Sequence, residues 1–166
     1  MRVLTAALIG LIFLSMPGGQ LAALETGSAT NLPLPRYVSL KASEGNVRRG
    51  PSLTHRIDWV FKRRDMPLQI TAEHGHWRRV QDRDGQGGWI HYSLLSGART
   101  VLVERDMLTI HARPDSSSPV VAALQVGVIA RLGKCVAEYC QLRTGGFSGW
   151  AKKLDLWGVE PDELRD

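Results

Sequence analysis

An internal repeat limits the possible folds of this chain more than any other feature of its 166 residues. Residues 37–51, YVSLKASEGNVRRGP, align without a gap on residues 100–114, TVLVERDMLTIHARP, at an offset of 63. The matched pairs are Val38 with Val101, Leu40 with Val103, Val47 with Ile110 and Pro51 with Pro114. Both copies also end alike, since GGWIHYSLLSG corresponds to SGWAKKLDLWG. We therefore predict two consecutive small domains of about 60 residues each, joined near residues 97–100.

The segments between the predicted turns are short and rich in β-branched and aromatic residues. They include IDWVFK, PLQITAE and HWRRVQD in the first copy, and VVAALQV, VIARLG and EYCQLR in the second. Turns containing Gly or Pro, such as RRGPSLT and DRDGQGG, separate them. No stretch after residue 30 keeps a helical period over three turns. The predicted fold class is all-β, as two tandem small β-barrels.

The N-terminal end has the features of a secretory signal peptide. After Arg2, an apolar run of about 14 residues ends at Pro-Gly-Gly, and this is shorter than the roughly 20 residues of a membrane-spanning helix. Small residues follow at Ala22 and Ala23 and again at Gly27-Ser28-Ala29, and cleavage is expected between them. We therefore predict export to the periplasm or secretion, with no integral membrane anchor after cleavage. The alternative is an N-terminal anchor that is never cut.

In the first copy, NVRRGPS opens a long loop after a strand, and GGWIHYSLLSG ends in a short helical turn. This order of motifs resembles that of bacterial SH3-like (SH3b) domains, here in tandem. The lead-in LPLPRYVSLKASEGNVRRGPS is similar to the start of a family of exported proteobacterial proteins built from two such domains. The resemblance covers residues 32–158 and implies an SH3-like barrel in each copy. The second copy departs from the pattern, with His111 and Arg113 in place of Arg48 and Gly50.

These features together predict five segments. They are a signal peptide and cleavage region (1–29), a proline-containing linker (30–36), a first SH3-like barrel (37–99), a second SH3-like barrel (100–158) and an acidic tail (159–166).

Basic residues are concentrated in the first copy, where residues 36–97 contain eleven Lys or Arg and six Asp or Glu. One hypothesis is a basic, aromatic-lined groove for an anionic chain, because arginine can contact carboxylates with two hydrogen bonds. Its candidate ligand-binding residues are Tyr37, Arg48, Arg49, Trp59, Arg63 and Arg64. The alternative is a surface of ion pairs with Asp58, Asp65, Asp82 and Asp84, which needs no ligand.

Two tryptophans are expected to be exposed, because the other copy has small residues at the matching positions. Trp59 corresponds to Ala122, and Trp157 corresponds to Ser96. Trp77, Trp89 and Trp150 are expected in the core or at a barrel end.

The two cysteines, Cys135 and Cys140, are separated by four residues. This spacing differs from the C-x-x-C of thiol oxidoreductases, and no second pair completes four thiolate ligands for zinc. A hairpin in which the two residues face each other fits the sequence, and an oxidising compartment favours a bond between them. We predict a disulfide. His74-Gly75-His76 is interpreted as a tight turn, and no metal site is predicted.

No nucleophile–base pair, paired carboxylates or phosphate-binding glycine loop stands out, so we expect a non-catalytic binding protein without a cofactor. The SH3b resemblance implies recognition of peptidoglycan or of a periplasmic protein partner. Nucleic acid is not an expected partner, because the chain is predicted to be exported. The alternatives are an adaptor for proline-rich peptides, for which LPLPR at 32–36 could itself be an occupant, and an accessory subunit of a cell-wall hydrolase. The sequence does not predict the oligomeric state.

Overall fold

The computed structural model describes residues 25–166 as two β-domains in succession. The strands of the first domain are β1 (Arg36–Leu40), β2 (Gly45–Arg48), β3 (Ile57–Phe61), β4 (Pro67–His74), β5 (Trp77–Gln81), β6 (Gly87–His91) and β7 (Leu95–Ser96). Those of the second are β8 (Thr100–Val103), β9 (Leu108–His111), β10 (Val120–Leu124), β11 (Ile129–Cys135), β12 (Tyr139–Thr144), β13 (Phe147–Lys152) and β14 (Leu156–Trp157). A 3-10 turn precedes the last strand of each domain, at Tyr92–Leu94 and Lys153–Asp155.

The two sheets have the same topology. The first has the order β3-β2-β6-β5-β4-β1-β7, and the second has β10-β9-β13-β12-β11-β8-β14. Each order becomes the other when the strand number is shifted by seven, and all the pairs are antiparallel. The predicted all-β class and internal repeat are therefore confirmed.

Alternating side chains build a separate core in each domain. In β2, Val47 is buried and Asn46 is exposed, while in β9 Ile110 is buried and Thr109 is exposed. The period of two places every second side chain on the inner face of the sheet. The core of the first domain includes Leu40, Val47, Leu68, Val80 and Ile90, and that of the second includes Val101, Val103, Ile110, Leu132 and Leu142.

A glycine permits close strand crossing at the same place in each domain. At Gly88, with φ +151°, an added Cβ would lie 2.7 Å from the carbonyl oxygen of Arg48. At Gly149 it would lie 3.0 Å from the carbonyl oxygen of His111. Any larger residue would push the two strands apart, which explains why glycine precedes the tryptophan in both copies.

The two domains contact each other through their junction. The ring of Tyr37 packs edge-on against Trp157, with centroids 5.3 Å apart, and the Arg99 guanidinium lies 5.5 Å from the Tyr37 ring centre. The hydroxyl of Thr100 donates a 2.7 Å hydrogen bond to the carbonyl oxygen of Asp65. Trp157 is therefore half-buried at this junction, whereas the sequence comparison with Ser96 predicted that it would be exposed.

The flanking segments pack onto the domains. In the segment predicted as a linker, 30–36, Leu34 is 8% exposed and belongs to the first core. In the predicted acidic tail, Val159 joins the second core and Glu163 pairs with Arg99 at 2.9 Å. Residues 1–24 of the predicted signal peptide lie outside the described part of the chain. Within residues 25–166, no helix has the length and hydrophobicity to cross a membrane.

The predicted disulfide is confirmed. Cys135, at the end of β11, pairs in register with Cys140 of β12, and their Cα atoms are 4.1 Å apart. Both side chains are buried in the second core. The backbone of Cys135 also exchanges two hydrogen bonds with Arg165, of 2.8 and 3.1 Å. The C-terminal tail is therefore hydrogen-bonded to the hairpin that the disulfide closes.

Replacing both Cys135 and Cys140 by alanine is expected to lower the free energy of unfolding by about 2 kcal/mol, because the unfolded chain regains the freedom of a short closed loop. Urea unfolding of the oxidised protein and the double variant measures this difference. Reduction of the unaltered protein is the control and should produce a similar loss. Equal stability of all three forms would contradict a stabilising role for the bond.

Candidate functional site

A shallow cavity of about 410 Å³ lies beside the long loop between β2 and β3 in the first domain. Its lining comes from three elements, and we call it the first groove. The loop contributes Ser52 and Leu53, the β4–β5 turn contributes His74, Gly75 and His76, and the adjoining strands contribute Trp77 and His91. Leu53 is 75% exposed and adds apolar surface to the edge of this groove.

Four rings stand together at this groove, and we call them the ring cluster: His76, Trp77, His91 and Tyr92. The rings of His76 and His91 are stacked at 5.8 Å, and Trp77 meets His91 edge-on at 5.6 Å. Tyr92 lies 4.9 Å from His91 and 5.5 Å from His76. Because Tyr92 is 47% exposed and His76 is exposed, the cluster presents flat ring faces and polar ring edges to solvent.

The second domain has a groove at the equivalent position, with different chemistry. Strand register shows the equivalence, because Trp77 pairs with His91 across β5 and β6 as Tyr139 pairs with Lys152 across β12 and β13. The second groove has a volume of about 260 Å³. Its lining includes Arg105, Thr109, His111, Ser116, Tyr139, Lys152 and Asp155. The same location is therefore rich in aromatic rings in the first domain and in charged groups in the second.

Equivalent side chains fix the long loop beside each groove. In the first domain, Arg48 Nη1 donates to the carbonyl oxygens of Leu53 and His55, at 3.1 and 2.6 Å. In the second, His111 Nδ1 donates to the carbonyl oxygen of Ser118 at 2.9 Å. Arg48 is paired with Trp89, and His111 with Trp150. His111 of the second copy therefore holds the long loop in the same way as Arg48 of the first, although the donor group is different.

The six candidate ligand-binding residues do not line the first groove. Arg48 is bonded within the long loop, and Arg49 pairs with Asp58 at 3.0 Å. Arg64 donates to the carbonyl oxygen of Lys41 at 2.6 Å. The structure places the remaining three elsewhere: Tyr37 at the domain junction, Trp59 on the edge strand β3 with 43% of its surface exposed, and Arg63 beside a small cavity between the domains.

Part of the basic charge of the first domain is neutralised by acidic partners. Asp58 pairs with Arg49 and Arg56, and this lowers the pKa of its carboxyl group. Asp82 instead accepts hydrogen bonds from the backbone N–H groups of Asp84 and Gln86, so it shapes a turn. Arg79 differs from these arginines, because it is exposed and pairs with no acid in residues 25–166. It lies on the outward face of β5, two residues from Trp77 and directly across from Trp89.

Sequence reasoning missed the groove residues Leu53, His76 and His91, and it missed Tyr92 of the ring cluster. The HGH sequence was interpreted as a turn, which is correct for the backbone. In the structure, however, the His76 ring of this turn contacts the rings of His91 and Tyr92 at the end of β6. The available signal was composition, since four of the five histidines fall in the first copy. Within residues 25–166, no group of three or more His, Cys, Asp or Glu residues is arranged to hold a metal ion.

Comparison with known proteins identifies the family. A sequence profile of the bacterial SH3 domain matches this chain twice, at residues 41–97 and 104–158. No curated protein matches the chain. Among solved structures, NlpC2 and NlpC1 from Trichomonas vaginalis are similar, each with 12% sequence identity and TM-scores of 0.34 and 0.35. The alignments cover 74% and 79% of this chain, which spans 48% of each of those chains.

The two profile matches together span more than half of the chain, and each falls on one of the two seven-stranded sheets. The fold is accordingly two tandem SH3-like domains, and the chain belongs to the bacterial SH3 domain family.

Proposed function

We propose that the protein is a non-catalytic, exported binding protein that recognises peptidoglycan or a periplasmic protein partner. Bacterial SH3 domains often act as recognition modules for the cell wall or for partner proteins, and both domains here belong to that family. The Cys135–Cys140 disulfide supports an oxidising location such as the periplasm. It also consumes both thiols of the chain, so neither is available as a nucleophile.

The ring cluster is the observation that carries this proposal. Its exposed faces offer apolar contact area, and its ring nitrogens and the Tyr92 hydroxyl offer hydrogen bonds. Peptidoglycan presents sugar rings and short peptides with carboxylates, and both can pack on such a surface. Arg79, on the same outward face of β5 as Trp77, supplies a positive charge for a carboxylate.

Proline-rich peptides are the second candidate ligand, because the aromatic lining of the first groove also suits them. The LPLPR segment of the chain is not in position to serve, because Leu34 is buried in the first core and Arg36 begins β1. A proline-rich ligand would therefore have to come from another protein.

Binding to purified sacculi tests the proposal. The double variant His76→Ala/Tyr92→Ala is expected to weaken retention of the exported protein at least about tenfold, which corresponds to about 1.4 kcal/mol of binding free energy. Both side chains are exposed, so the thermal midpoint should change little. Co-sedimentation over a protein concentration series gives the affinity, and a salt series reports the contribution of charge.

The matched control is Phe147→Ala, which removes an aromatic side chain that is 52% exposed and lines neither groove. It should leave retention unchanged. If the native protein does not bind sacculi at any salt concentration, the peptidoglycan proposal is wrong. Titration with proline-rich peptides and capture from a periplasmic extract then separate the remaining partners.

A further inference from the structure

Residues 25–34 form a short N-terminal segment that folds back on itself and lies on the first domain. We call it the N-terminal clasp. Thr26 and Pro33 form an isolated bridge, Gly27 N–H donates to the carbonyl oxygen of Leu32, and Leu34 N–H donates to that of Glu25, both at 2.8 Å. Its last residue, Leu34, fills part of the first core. The clasp is therefore built as a structural element of the domain.

The side chain of Glu73, on β4, is fully buried under the clasp. One carboxylate oxygen accepts from the backbone N–H groups of Ala29 and Thr30 at 3.0 and 2.9 Å, and the other accepts from the Thr30 hydroxyl at 2.8 Å. On the domain side, Arg36 and Arg78 form ion pairs with the same group. Three of these five polar contacts with the buried charge thus come from the clasp.

Gly27 and Ser28 complete the fit. A Cβ atom at Gly27 would lie 2.3 Å from the carboxyl carbon of Glu73, so a residue with a side chain would displace that group. The Ser28 hydroxyl donates to the carbonyl oxygen of Glu73 at 3.0 Å. The small residues of Gly27-Ser28-Ala29 therefore have a structural use in the folded domain.

The sequence alone allows a different role for Gly27-Ser28-Ala29, because small residues also precede the cleavage bond of a signal peptide. A cut there would be incompatible with their structural role in the clasp. We infer that the leader is removed on the N-terminal side of Glu25, in the region of Ala22 and Ala23, and that the clasp remains as part of the mature protein. The inference rests on the export proposed above. It assigns the proteolytic maturation site to the first of the two small-residue clusters.

A cut after Ala29 would leave a defective domain. It would remove the Ala29 N–H and the Ser28 hydroxyl from Glu73, together with the backbone bonds of Glu25 and Gly27. A buried carboxylate that loses hydrogen bonds is costly, and the two arginines beside it would become exposed. Cleavage upstream of Glu25 keeps every one of these contacts.

The test is to produce the full chain in an exporting Gram-negative host and to determine the first residue of the exported product by intact mass and N-terminal sequencing. The expected product has lost Met1 and the apolar run and begins between Ala22 and Glu25. A product that begins at any residue from 26 to 30 would overturn the inference. A product that retains Met1 would also overturn it and would count against leader removal, while the sacculus assay would still test binding separately.

The variant Ala29→Leu provides the control, because a bulky residue there should block a cut after position 29. Ala29 is exposed and contributes only its backbone N–H to Glu73, so the substitution should not disturb the clasp. We expect the same N-terminal residue and the same yield as for the unaltered chain. A shifted N-terminus or accumulation of the uncut precursor in this variant would contradict the inference.

Discussion

Glu73→Gln is expected to lower the free energy of unfolding by about 3 kcal/mol at pH 7, because it leaves two largely buried arginines without their counter-ion. Arg36 and Arg78 both pair with this carboxylate, and their side chains are 18% and 9% exposed. The amide keeps most of the shape of the group but loses its charge. Urea unfolding of the protein measures the loss.

The same carboxylate gives the stability of the protein a defined pH dependence. Burial by itself would raise the pKa of Glu73, but hydrogen bonds from Arg36, Thr30 and the backbone lower it from 4.5 to about 2. A carboxyl group with a depressed pKa in the folded state stabilises that state at pH values above its unfolded pKa. This contribution should be complete above about pH 5 and should be lost as the pH falls towards 2. Glu73→Gln should remove this part of the pH dependence.

Asp58→Asn is the matched control for Glu73→Gln. Asp58 also pairs with two arginines, Arg49 at 3.0 Å and Arg56 at 2.6 Å, but all three side chains are open to solvent. Because water compensates the loss of an exposed ion pair, its effect should be clearly smaller. Equal losses for the two variants would show that burial under the clasp does not strengthen the Glu73 network.

The clasp also connects to the ring cluster through Arg78. Arg78 Nε pairs with the Glu73 carboxylate at 3.3 Å, and the guanidinium carbon of Arg78 lies 5.9 Å from the ring centre of Tyr92. Arg78 further donates to the carbonyl oxygens of Gly75 and Trp77, which belong to the turn and strand that carry the cluster. Arg78 thus links the Glu73 network to the ring cluster. Loss of the clasp contacts should therefore shift the ring cluster before it affects the second domain.

The sequence was sufficient for the repeat, the all-β class and the disulfide, because each is a local pattern. Alternation in PLQITAE and the repeated Gly-Trp pair report which face of a strand is buried, and only four residues lie between the two cysteines that pair in one hairpin. The groove could not be predicted in the same way. It depends on the packing of the 75–76 turn against the end of β6, two segments whose contact follows from strand order rather than from spacing in the chain.

Charged residues were harder to assign than apolar ones, because the sequence does not show which cation meets which anion. Arg48 is a residue type that often contacts ligands, but here its guanidinium donates hydrogen bonds to carbonyl oxygens of the neighbouring loop. Glu73 is an ordinary acidic residue near the end of a predicted strand, and only the folded clasp explains why it is buried. Tyr37 likewise faces the second domain, where burial, followed by the nearby Glu160 carboxylate, raises its pKa to about 12.

Arg99→Met is expected to lower the free energy of unfolding by about 3 kcal/mol, because Arg99 joins the domain junction to the C-terminal tail through a mostly buried ion pair. Its guanidinium donates to both carboxylate oxygens of Glu163 at 2.9 Å and to the carbonyl oxygen of Gly158 at 2.8 Å. The side chains of Arg99 and Glu163 are 15% and 17% exposed. Methionine keeps the apolar contact with Tyr37 but leaves Glu163 without its cation.

The matched control is Arg83→Met, which breaks an exposed ion pair between the domains, from Arg83 to Glu104 at 2.9 Å. That pair is 42% and 31% exposed, so its loss should cost less than about 1 kcal/mol. Urea unfolding measures both variants, and limited proteolysis of the tail after residue 158 reports whether Arg99→Met releases it. The Lys153 ammonium also donates to the carbonyl oxygens of Pro161 and Glu163, at 3.1 and 2.7 Å. Similar small losses for both variants, with the tail still protected, would mean that Lys153 and the Cys135 backbone hold the tail without Arg99. A large loss with tail release only in Arg99→Met would establish that this one guanidinium couples the domain junction to the C-terminal end of the fold.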